Sequence, residues 1–332
     1  MKKGRECAAI LLALVIFLGL GFGLGQLLMP PRTEYGSLWD AYRQEPEESL
    51  DVLFFGSSLV YCSVVPACIR AESGLKSFVL AGPEQTMPMT YAYIREACRS
   101  QSPQIVALDC TGMFFHRYEH YAKANIGYMP LGSNRLAATF RAAEPGEWPG
   151  LLFPLLTYHG RWREITIDDL KARLRPQTSE TAGYTLLTDI AAEQAPAVWD
   201  AYTPEQADYA RNLAYLAKIR DFCAEKGAEL LLYVTPTASK LPETSLETLR
   251  SDAAALGISL TDFNESLPEL GIDDSTDWYD SLHFNLRGAV KFSRWLGSRL
   301  AEDGKTTEDT EETAALWRQR TEYIHKKTEE CS

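Results

Sequence analysis

The sequence is poor in the groups that usually hold metals, nucleotides or nucleic acids. It has 5 histidines in 332 residues, and its cysteines and histidines do not cluster at zinc-like spacings. It contains neither a Walker loop nor a Gly-x-Gly-x-x-Gly fingerprint, the motifs that cradle nucleotide phosphates. Basic residues are outnumbered, with 33 Lys and Arg against 45 Asp and Glu and a formal net charge of -12. We therefore predict no metal, no cofactor and no nucleic acid, and no anionic lipid as the main partner.

The cysteines also lack a pattern that would constrain the fold. There are 7 of them, of which Cys7 lies in an apolar run near the start, and the other six follow no recognisable disulfide framework. A domain with its own core does not need disulfides, so most of the six are expected to be small buried hydrophobic residues. No pairing is assigned. The length allows one large domain with additions, or two small ones.

A run without charges does stand near the start of the chain. From Cys7 to Met29 the residues are apolar apart from glycines and one glutamine, and a helix over this run is roughly 35 Å long, enough to cross a bilayer. Lys2, Lys3 and Arg5 precede it, which predicts a cytoplasmic N-terminus and an external domain. We favour an uncleaved anchor over a cleaved signal peptide, because the run is long and no clear Ala-x-Ala site follows. A buried helix of a soluble protein is the third alternative.

The rest of the chain divides by composition. The predicted segments are residues 1–6 in the cytoplasm, 7–29 as the membrane anchor, 30–50 as a polar juxtamembrane linker, 51–301 as the folded domain and 302–332 as a charged tail. In the tail, Leu316, Trp317, Tyr323 and Ile324 recur on one helical face, so a helix over 311–327 could dock or self-associate. A solvated terminal helix is the default expectation.

Apolar segments and helical patterns alternate through the folded domain. Strands are predicted at 52–55, 77–80, 104–109, 229–236 and 260–263, with helices at 89–99, 204–226 and 288–300. This alternation predicts an α/β fold with a doubly wound, parallel, five-stranded sheet and right-handed crossovers. The connection between the third and fourth strands, about 111–203, is far longer than usual, so we expect an inserted cap or subdomain there.

The first strand runs directly into Gly56-Ser57-Ser58. Ligands of open α/β sheets gather at the carboxyl ends of the strands, so a serine in this turn is a candidate nucleophile. Taken alone, the same three residues are more typical of an ordinary turn.

A possible partner for this serine stands more than two hundred residues later. Asp280 precedes His283 by three residues, just before the last predicted helix. This spacing lets the carboxylate hold one imidazole nitrogen while the other faces a nucleophile. An isolated Asp and His are more often an ordinary polar pair.

The long connection supplies candidate substrate contacts. Tyr158, His159, Arg161 and Trp162 lie close together in it, and a segment that leaves the carboxyl edge of the third strand would overhang the catalytic crevice. An aromatic ring beside an arginine can stack on a sugar and bind its hydroxyls. The alternative is a packed aromatic corner whose polar groups are satisfied.

Together, the serine turn after the first strand and the Asp-x-x-His near the end resemble the SGNH (GDSL-like) hydrolase superfamily. Pro66, Gly82 with Gln85, Tyr91 and Tyr158-His-Gly-Arg-Trp162 make the sequence similar to its membrane-anchored branch, which includes the alginate acetylation proteins and, more distantly, the D-alanyl transfer protein of teichoic acid biosynthesis. The resemblance covers roughly residues 50 to 300. It implies a flavodoxin-like SGNH fold and an SGNH-like catalytic domain at 51–301.

The resemblance also implies roles for individual residues. Ser58 would be the nucleophile, His283 the general base and then acid, and Asp280 the group that orients it. The backbone amides of Ser58 and Gly82 would form an oxyanion hole. Typical members supply a further donor from the asparagine of a Gly-x-Asn-Asp block, which this chain lacks, and Gln85 is the candidate replacement. The turn also has Ser57 where many members have Asp.

The implied function is that of an extracytoplasmic serine esterase or O-acyltransferase, anchored in the cell membrane by a single helix. Its partners would be a polysaccharide or another acylated surface glycan and, for transfer, a membrane-bound acyl donor protein. The alternative is a catalytically inactive SGNH-like protein that binds glycan or assembles a complex.

Overall fold

A five-stranded parallel sheet forms the centre of the fold. The computed structural model describes residues 2–31, 39–116, 121–175, 178–190, 207–301 and 306–331. The strands are β1 (Val52–Phe55), β2 (Ser77–Val79), β3 (Ile105–Asp109), β4 (Glu229–Val234) and β5 (Leu260–Asp262). They are arranged in the order β2-β1-β3-β4-β5, and every neighbouring pair is parallel. The predicted α/β class with a parallel five-stranded sheet is confirmed.

Helices connect the strands and extend the fold at both ends. They are α1 (Lys2–Leu28), α2 (Trp39–Tyr42), α3 (Ser58–Tyr61), α4 (Pro66–Ser73), α5 (Met87–Ala97), α6 (Ala122–Ile126), α7 (Ser133–Ala142), α8 (Trp148–Leu152), α9 (Leu155–Tyr158), α10 (Ile167–Leu174), α11 (Ala207–Lys226), α12 (Glu243–Ala255), α13 (Leu267–Leu270), α14 (Leu286–Leu300) and α15 (Glu311–Glu330). Short 3₁₀ helices occur at Cys110–Phe114, Pro145–Glu147, His159–Arg163 and Phe263–Ser266.

The continuous apolar sequence of β1 reflects burial on both faces of the sheet. Successive strand residues point to opposite faces, so Leu53 and Phe55 join one core cluster while Val52 and Phe54 join the other. Helices α5, α11 and α12 pack on the first cluster, and α4 and α14 pack on the second. The sheet is therefore covered on both sides, and its carboxyl edge is left as the place where functional groups can gather.

The first helix confirms the expected apolar N-terminal segment. Gly4–Leu28 is long and apolar enough to cross a membrane, with a hydropathy of 2.7, and the large side chains between Ile10 and Leu20 are exposed. Its orientation across a membrane stays a prediction.

The connection between β3 and α11 contains helices α6 to α10. Parts of the predicted cap, at 117–120, 176–177 and 191–203, lie outside the described residues. So do residues 32–38 of the predicted linker, 204–206 of the predicted helix before β4, and residues 1, 302–305 and 332.

The C-terminal helix packs against the domain, in contrast to the default expectation of a solvated helix. Trp317 and Ile324 of α15 are buried, and the guanidinium of Arg320 forms a buried ion pair with Glu45, with one N–O distance of 3.1 Å. Arg320 also donates to the Ser179 carbonyl at 2.9 Å. The apolar face recognised in the sequence is therefore a docking face, and the ion pair fixes its position.

Candidate active site

The turn after β1 requires glycine at its first position. Gly56 has a φ of +150°, in the region that side chains rarely occupy. A Cβ at this position would lie 2.6 Å from Val60 Cγ2 and 2.9 Å from Asp109 Cβ. Glycine thus allows the chain to pass from the strand into helix α3 within two residues.

The two serines of this turn have different surroundings. Ser57 is buried and is the N-cap of α3, where its Oγ accepts a hydrogen bond from the Leu59 amide at 3.4 Å. Ser58 is the first residue of the helix, and its Oγ lies 2.8 Å from His283 Nε2. Only Ser58 therefore has its hydroxyl directed at the imidazole.

The imidazole of His283 is held from its other side by Asp280. Nδ1 lies 2.9 Å from Asp280 Oδ2 and 3.0 Å from Oδ1. Together with the serine contact, this arrangement assigns the proton to Nδ1, which donates to the carboxylate, and leaves Nε2 to accept from the Ser58 hydroxyl. The structure thus brings the three residues predicted from the sequence into one hydrogen-bonded series.

The loop that carries Asp280 and His283 is fixed by its own backbone contacts. Asp280 Oδ1 accepts from the amides of Leu282 at 2.7 Å and His283 at 2.8 Å. Asn285 caps α14 by accepting from two amides of its first turn, while its Nδ2 donates to the Thr276 carbonyl at 2.7 Å. His283 therefore lies three residues before α14, in a loop that these hydrogen bonds tie to the capped start of the helix.

Asp277, the other acid of this loop, has a different partner. It is buried, accepts from Lys291 Nζ at 2.6 Å and from the Asp273 amide at 2.7 Å. Asp277 therefore ties the loop to α14, and the carboxylate that contacts His283 is that of Asp280.

Two opposing effects set the ionisation of Asp280. Partial burial raises its pKa, but the hydrogen bond and charge of His283, with the amides of Leu282 and His283, outweigh burial, and the net pKa is lowered. The carboxyl thus stays ionised throughout the neutral range. An ionised acid at this position stabilises the imidazolium that forms when His283 takes a proton.

A second acid, Asp109, lies under the turn without facing it. Its carboxylate accepts from the Thr235 hydroxyl at 2.7 Å and amide at 3.0 Å, and from the Thr111 amide at 2.9 Å. Burial raises its pKa, and the hydrogen bonds from the two threonines oppose this. Asp109 therefore joins the ends of β3 and β4, and its contacts indicate a structural role.

The three groups predicted to form the oxyanion hole differ in their hydrogen bonding. Within the described parts of the chain, the Ser58 amide has no acceptor, whereas the Gly82 amide donates to the Gly56 carbonyl at 3.2 Å. Gln85 is buried, and neither its Oε1 nor its Nε2 has a hydrogen-bond partner among the described residues. The Ser58 amide is thus available, the Gly82 amide is bonded to the turn after β1, and Gln85 has unused polar atoms.

Asn125 of α6 is a neighbour of this turn that the sequence did not reveal. It is fully buried, and its Nδ2 donates to the Pro83 carbonyl at 2.8 Å. Its side-chain oxygen lies against Gly82, so a Cβ at Gly82 would overlap it. No local motif marks Asn125, because it comes from the long connection, more than forty residues away. It holds the Gly82-Pro83 turn in place.

The close contact between Gly82 and Asn125 can be tested by substitution. Gly82→Ala should destabilise the fold by about 1–3 kcal/mol through overpacking, and should lower any Ser58-dependent rate by shifting the turn. Asn125→Ala alone leaves the Pro83 carbonyl without its donor. Because the second substitution also removes the overlap, the double variant should lose less than the sum of the singles in chemical denaturation. Strictly additive losses would show that the two side chains are not in contact.

One of the predicted substrate-binding residues, Arg161, contacts the end of helix α1. Arg161 Nη1 donates to the Leu28 carbonyl at 2.7 Å, and His159 Nδ1 lies 3.2 Å from the Leu156 carbonyl. Trp162 is 64% exposed, with the Arg163 guanidinium over its ring. The expectation that the cluster, including Tyr158, faces Ser58 stays a prediction. The last carbonyls of a helix lack partners within it, and Arg161 supplies one.

Another part of the long connection does reach the elements that carry the catalytic candidates. The Thr185 amide donates to the Tyr61 carbonyl at the end of α3 at 2.7 Å, and the Leu187 carbonyl accepts from the Leu286 amide at the start of α14 at 2.6 Å. Residues 185–187 therefore run between the helix of Ser58 and the helix that follows His283.

Comparisons with known proteins add little to this geometry. No family model matches the chain, and no curated protein matches it. One solved structure, described as a gut microbial diltiazem-metabolizing enzyme, aligns with 76% of this chain at 11% sequence identity and a TM-score of 0.30. The alignment spans 48% of that chain, about half its length. A likeness this weak supports neither a fold assignment nor a function.

Proposed function

We propose that this protein is an extracytoplasmic serine esterase or O-acyltransferase that acts on a cell-surface or secreted polysaccharide. The observation that carries the proposal is the series Asp280, His283 and Ser58, in which each contact is between 2.8 and 3.0 Å. Serine becomes nucleophilic when a base takes its proton, and this arrangement provides the base and the group that orients it.

In the proposed first half-reaction, Ser58 Oγ attacks the carbonyl carbon of an ester donor while its proton passes to His283 Nε2. The protonated imidazole then gives that proton to the departing alcohol oxygen as the ester C–O bond breaks. An acyl group remains on Ser58. The Ser58 amide is a donor for the oxyanion that forms at the carbonyl oxygen.

The second half-reaction uses the same groups in reverse. A sugar hydroxyl, or water, loses its proton to His283 and attacks the acyl carbon, and the imidazole returns the proton to Ser58 Oγ as the acyl–serine bond breaks. Transfer requires that water be kept away from the intermediate. A membrane-bound acyl donor protein is the proposed source of the acyl group.

The finer description of the fold belongs to the same proposal. The sheet order and the position of the serine turn are those expected of a flavodoxin-like SGNH fold. The segment 111–203 is proposed as its cap, and α1 as a single-pass anchor with the domain on the outer side. The basic residues before α1 support this orientation.

A second candidate function is a non-catalytic SGNH-like protein that binds glycan or assembles a complex. It is favoured by one observation, the donation of the Gly82 amide to Gly56, which leaves the Ser58 amide as the available backbone donor of the predicted pair. Losing one oxyanion donor costs on the order of a hundredfold in rate.

A fluorophosphonate probe separates the two functions, because it reacts only with an activated serine. In the folded full-length protein we expect one labelled site, Ser58, found by peptide mass spectrometry. Ser57→Ala should keep the label, since Ser57 contacts the Leu59 amide, whereas His283→Ala should lose it. Absence of labelling in folded wild-type protein would favour the binding function.

A further inference from the structure

The last two turns of α1 are packed against the domain. A Cβ at Gly21 would lie 2.7 Å from the Phe153 ring, and one at Gly25 would overlap the Leu155 backbone. These glycines are four residues apart and so lie on one face of the helix. Their lack of side chains lets the segment between α8 and α9 reach the helix backbone.

The domain also holds the C-terminal end of this helix by hydrogen bonds. Arg161 donates to the Leu28 carbonyl at 2.7 Å, Arg173 to the Met29 carbonyl at 2.6 Å, and the Tyr128 hydroxyl to the Pro30 carbonyl at 3.0 Å. The two arginines also place positive charge at the C-terminal end of the helix, where the helix dipole is negative. Three consecutive carbonyl groups at the end of α1 are therefore each bonded to a side chain of the domain.

The length of α1 decides where this attachment lies relative to a bilayer. The free part of its apolar run, from Cys7 to Leu20, is only about 21 Å long, whereas the hydrocarbon core is about 30 Å thick. The run must therefore continue through Gly21 and Gly25 to cross the core. The residues that pack on those glycines then lie at the depth of the outer leaflet.

The same part of the domain exposes large apolar side chains. We define the platform as α8, α9, the 3₁₀ helix His159–Arg163 and α10. Five of its large apolar side chains are exposed, with fractions of 40% for Leu152, 58% for Leu156, 64% for Trp162, 73% for Ile167 and 81% for Leu174, while Leu151 is buried. Such a concentration of apolar surface in a short segment marks an interaction site.

We propose that the platform is embedded in the outer leaflet of the membrane that α1 spans, with its exposed apolar side chains among the lipid acyl chains. The inference takes α1 to be a membrane helix and is independent of the proposed chemistry at Ser58. Amphipathic segments of this kind lie about 5–10 Å into the boundary between headgroups and acyl chains. Trp162, with Arg163 over its ring, has the mixed character of residues found at that depth.

The test uses the full-length protein in phosphatidylcholine vesicles, with Cys7→Ser removing the exposed thiol. An environment-sensitive fluorophore is attached at Leu156→Cys or Leu174→Cys. Val15→Cys in α1 is the control for a membrane site, and Glu247→Cys on α12 is the control for an aqueous site. The Cys7→Ser protein without an added cysteine measures background labelling.

We expect the labels at 156 and 174 to emit at shorter wavelength than the label at 247, and to lose most of their emission to lipids spin-labelled near the headgroup. The label at 247 should respond only to a water-soluble quencher. If 156 and 174 behave like 247 while 15 is quenched by lipid, the platform lies in water and the proposal is wrong. If 15 also behaves like 247, the premise that α1 spans the membrane fails, and the proposal with it.

A second measurement avoids labels. Brominated lipids should quench part of the tryptophan emission of the unsubstituted protein, and Trp162→Phe should remove most of that quenched part. An unchanged quenched fraction in Trp162→Phe would contradict the proposal. Fluorophosphonate labelling of Ser58 in the same samples reports separately on the proposed function.

Discussion

Ser58→Ala and His283→Ala are each expected to lower Ser58-dependent ester hydrolysis by roughly 10⁴- to 10⁶-fold. The reason is that the serine contacts His283 Nε2 directly, so removing either group removes one half of the proposed pair of nucleophile and base. The double variant should be hardly worse than either single variant, because the residues act as one unit. Steady-state hydrolysis of a chromogenic acetyl ester, with thermal unfolding measured in parallel, checks both points.

Asp280→Asn belongs to the same experiment and should cost about 10⁴-fold, since the amide favours the wrong imidazole tautomer. The matched control is Asp277→Asn, which changes an acid that contacts Lys291 instead of His283 and should mainly lower stability. A second control, Ser57→Ala, removes a helix cap worth about 1 kcal/mol and should keep most of the activity. Multiplicative losses, or a requirement for Asp277 in place of Asp280, would refute the assignment.

Arg320→Ala should lower the free energy of unfolding by about 3–5 kcal/mol, because it leaves the Glu45 carboxylate buried without a partner. Both side chains are 1% exposed, and no other cation is paired with Glu45 among the described residues. Burial raises the Glu45 pKa while Arg320 lowers it, with a net rise, so removing Arg320 would raise this pKa further. Chemical denaturation of the full-length protein in detergent measures the loss.

Two further variants make this result specific to the ion pair. Replacing both residues, as Glu45→Leu with Arg320→Met, should recover much of the stability, since buried ion pairs are often replaceable by apolar groups of similar size. Lys171→Ala, which breaks the exposed pair with Asp168, should change stability by less than about 1 kcal/mol. If Arg320→Ala cost no more than Lys171→Ala, α15 would not be docked as described.

The sequence predicts those parts of the structure that depend on short, continuous segments of the chain. The four buried residues of β1 and the apolar run of α1 are continuous in the chain, so their structures follow from hydrophobicity and length alone. Ser58 and His283 are more than two hundred residues apart, yet each lies in a short motif next to a regular element. Topology then brings those elements to one edge of the sheet, and the chemical roles of the two residues stay predictions.

The parts that the sequence did not reveal depend on contacts between distant and unmarked residues. Asn125 packs on Gly82, and Arg320 forms an ion pair with Glu45. No spacing of residues in the sequence predicts either contact. The contact of Arg161 with the Leu28 carbonyl is of the same kind, since the end of a helix has carbonyl groups without partners and the sequence does not show which distant donor will reach them.

Residues 125–128 connect the turn beside Ser58 to the end of α1. Asn125 lies against Gly82, and three residues later the Tyr128 hydroxyl donates to the Pro30 carbonyl, two residues after α1 ends. If α1 is the membrane anchor, as proposed, the catalytic candidates would be held at a constant height above the membrane, without the freedom of a long tether. A donor that diffuses within the bilayer would meet such a site by a search in two dimensions, at a local concentration far above its bulk value. Under the proposed function, glycan chains would have to come down to the membrane surface to be modified, so the molecule would act on polymers near their point of export more than on finished material farther out.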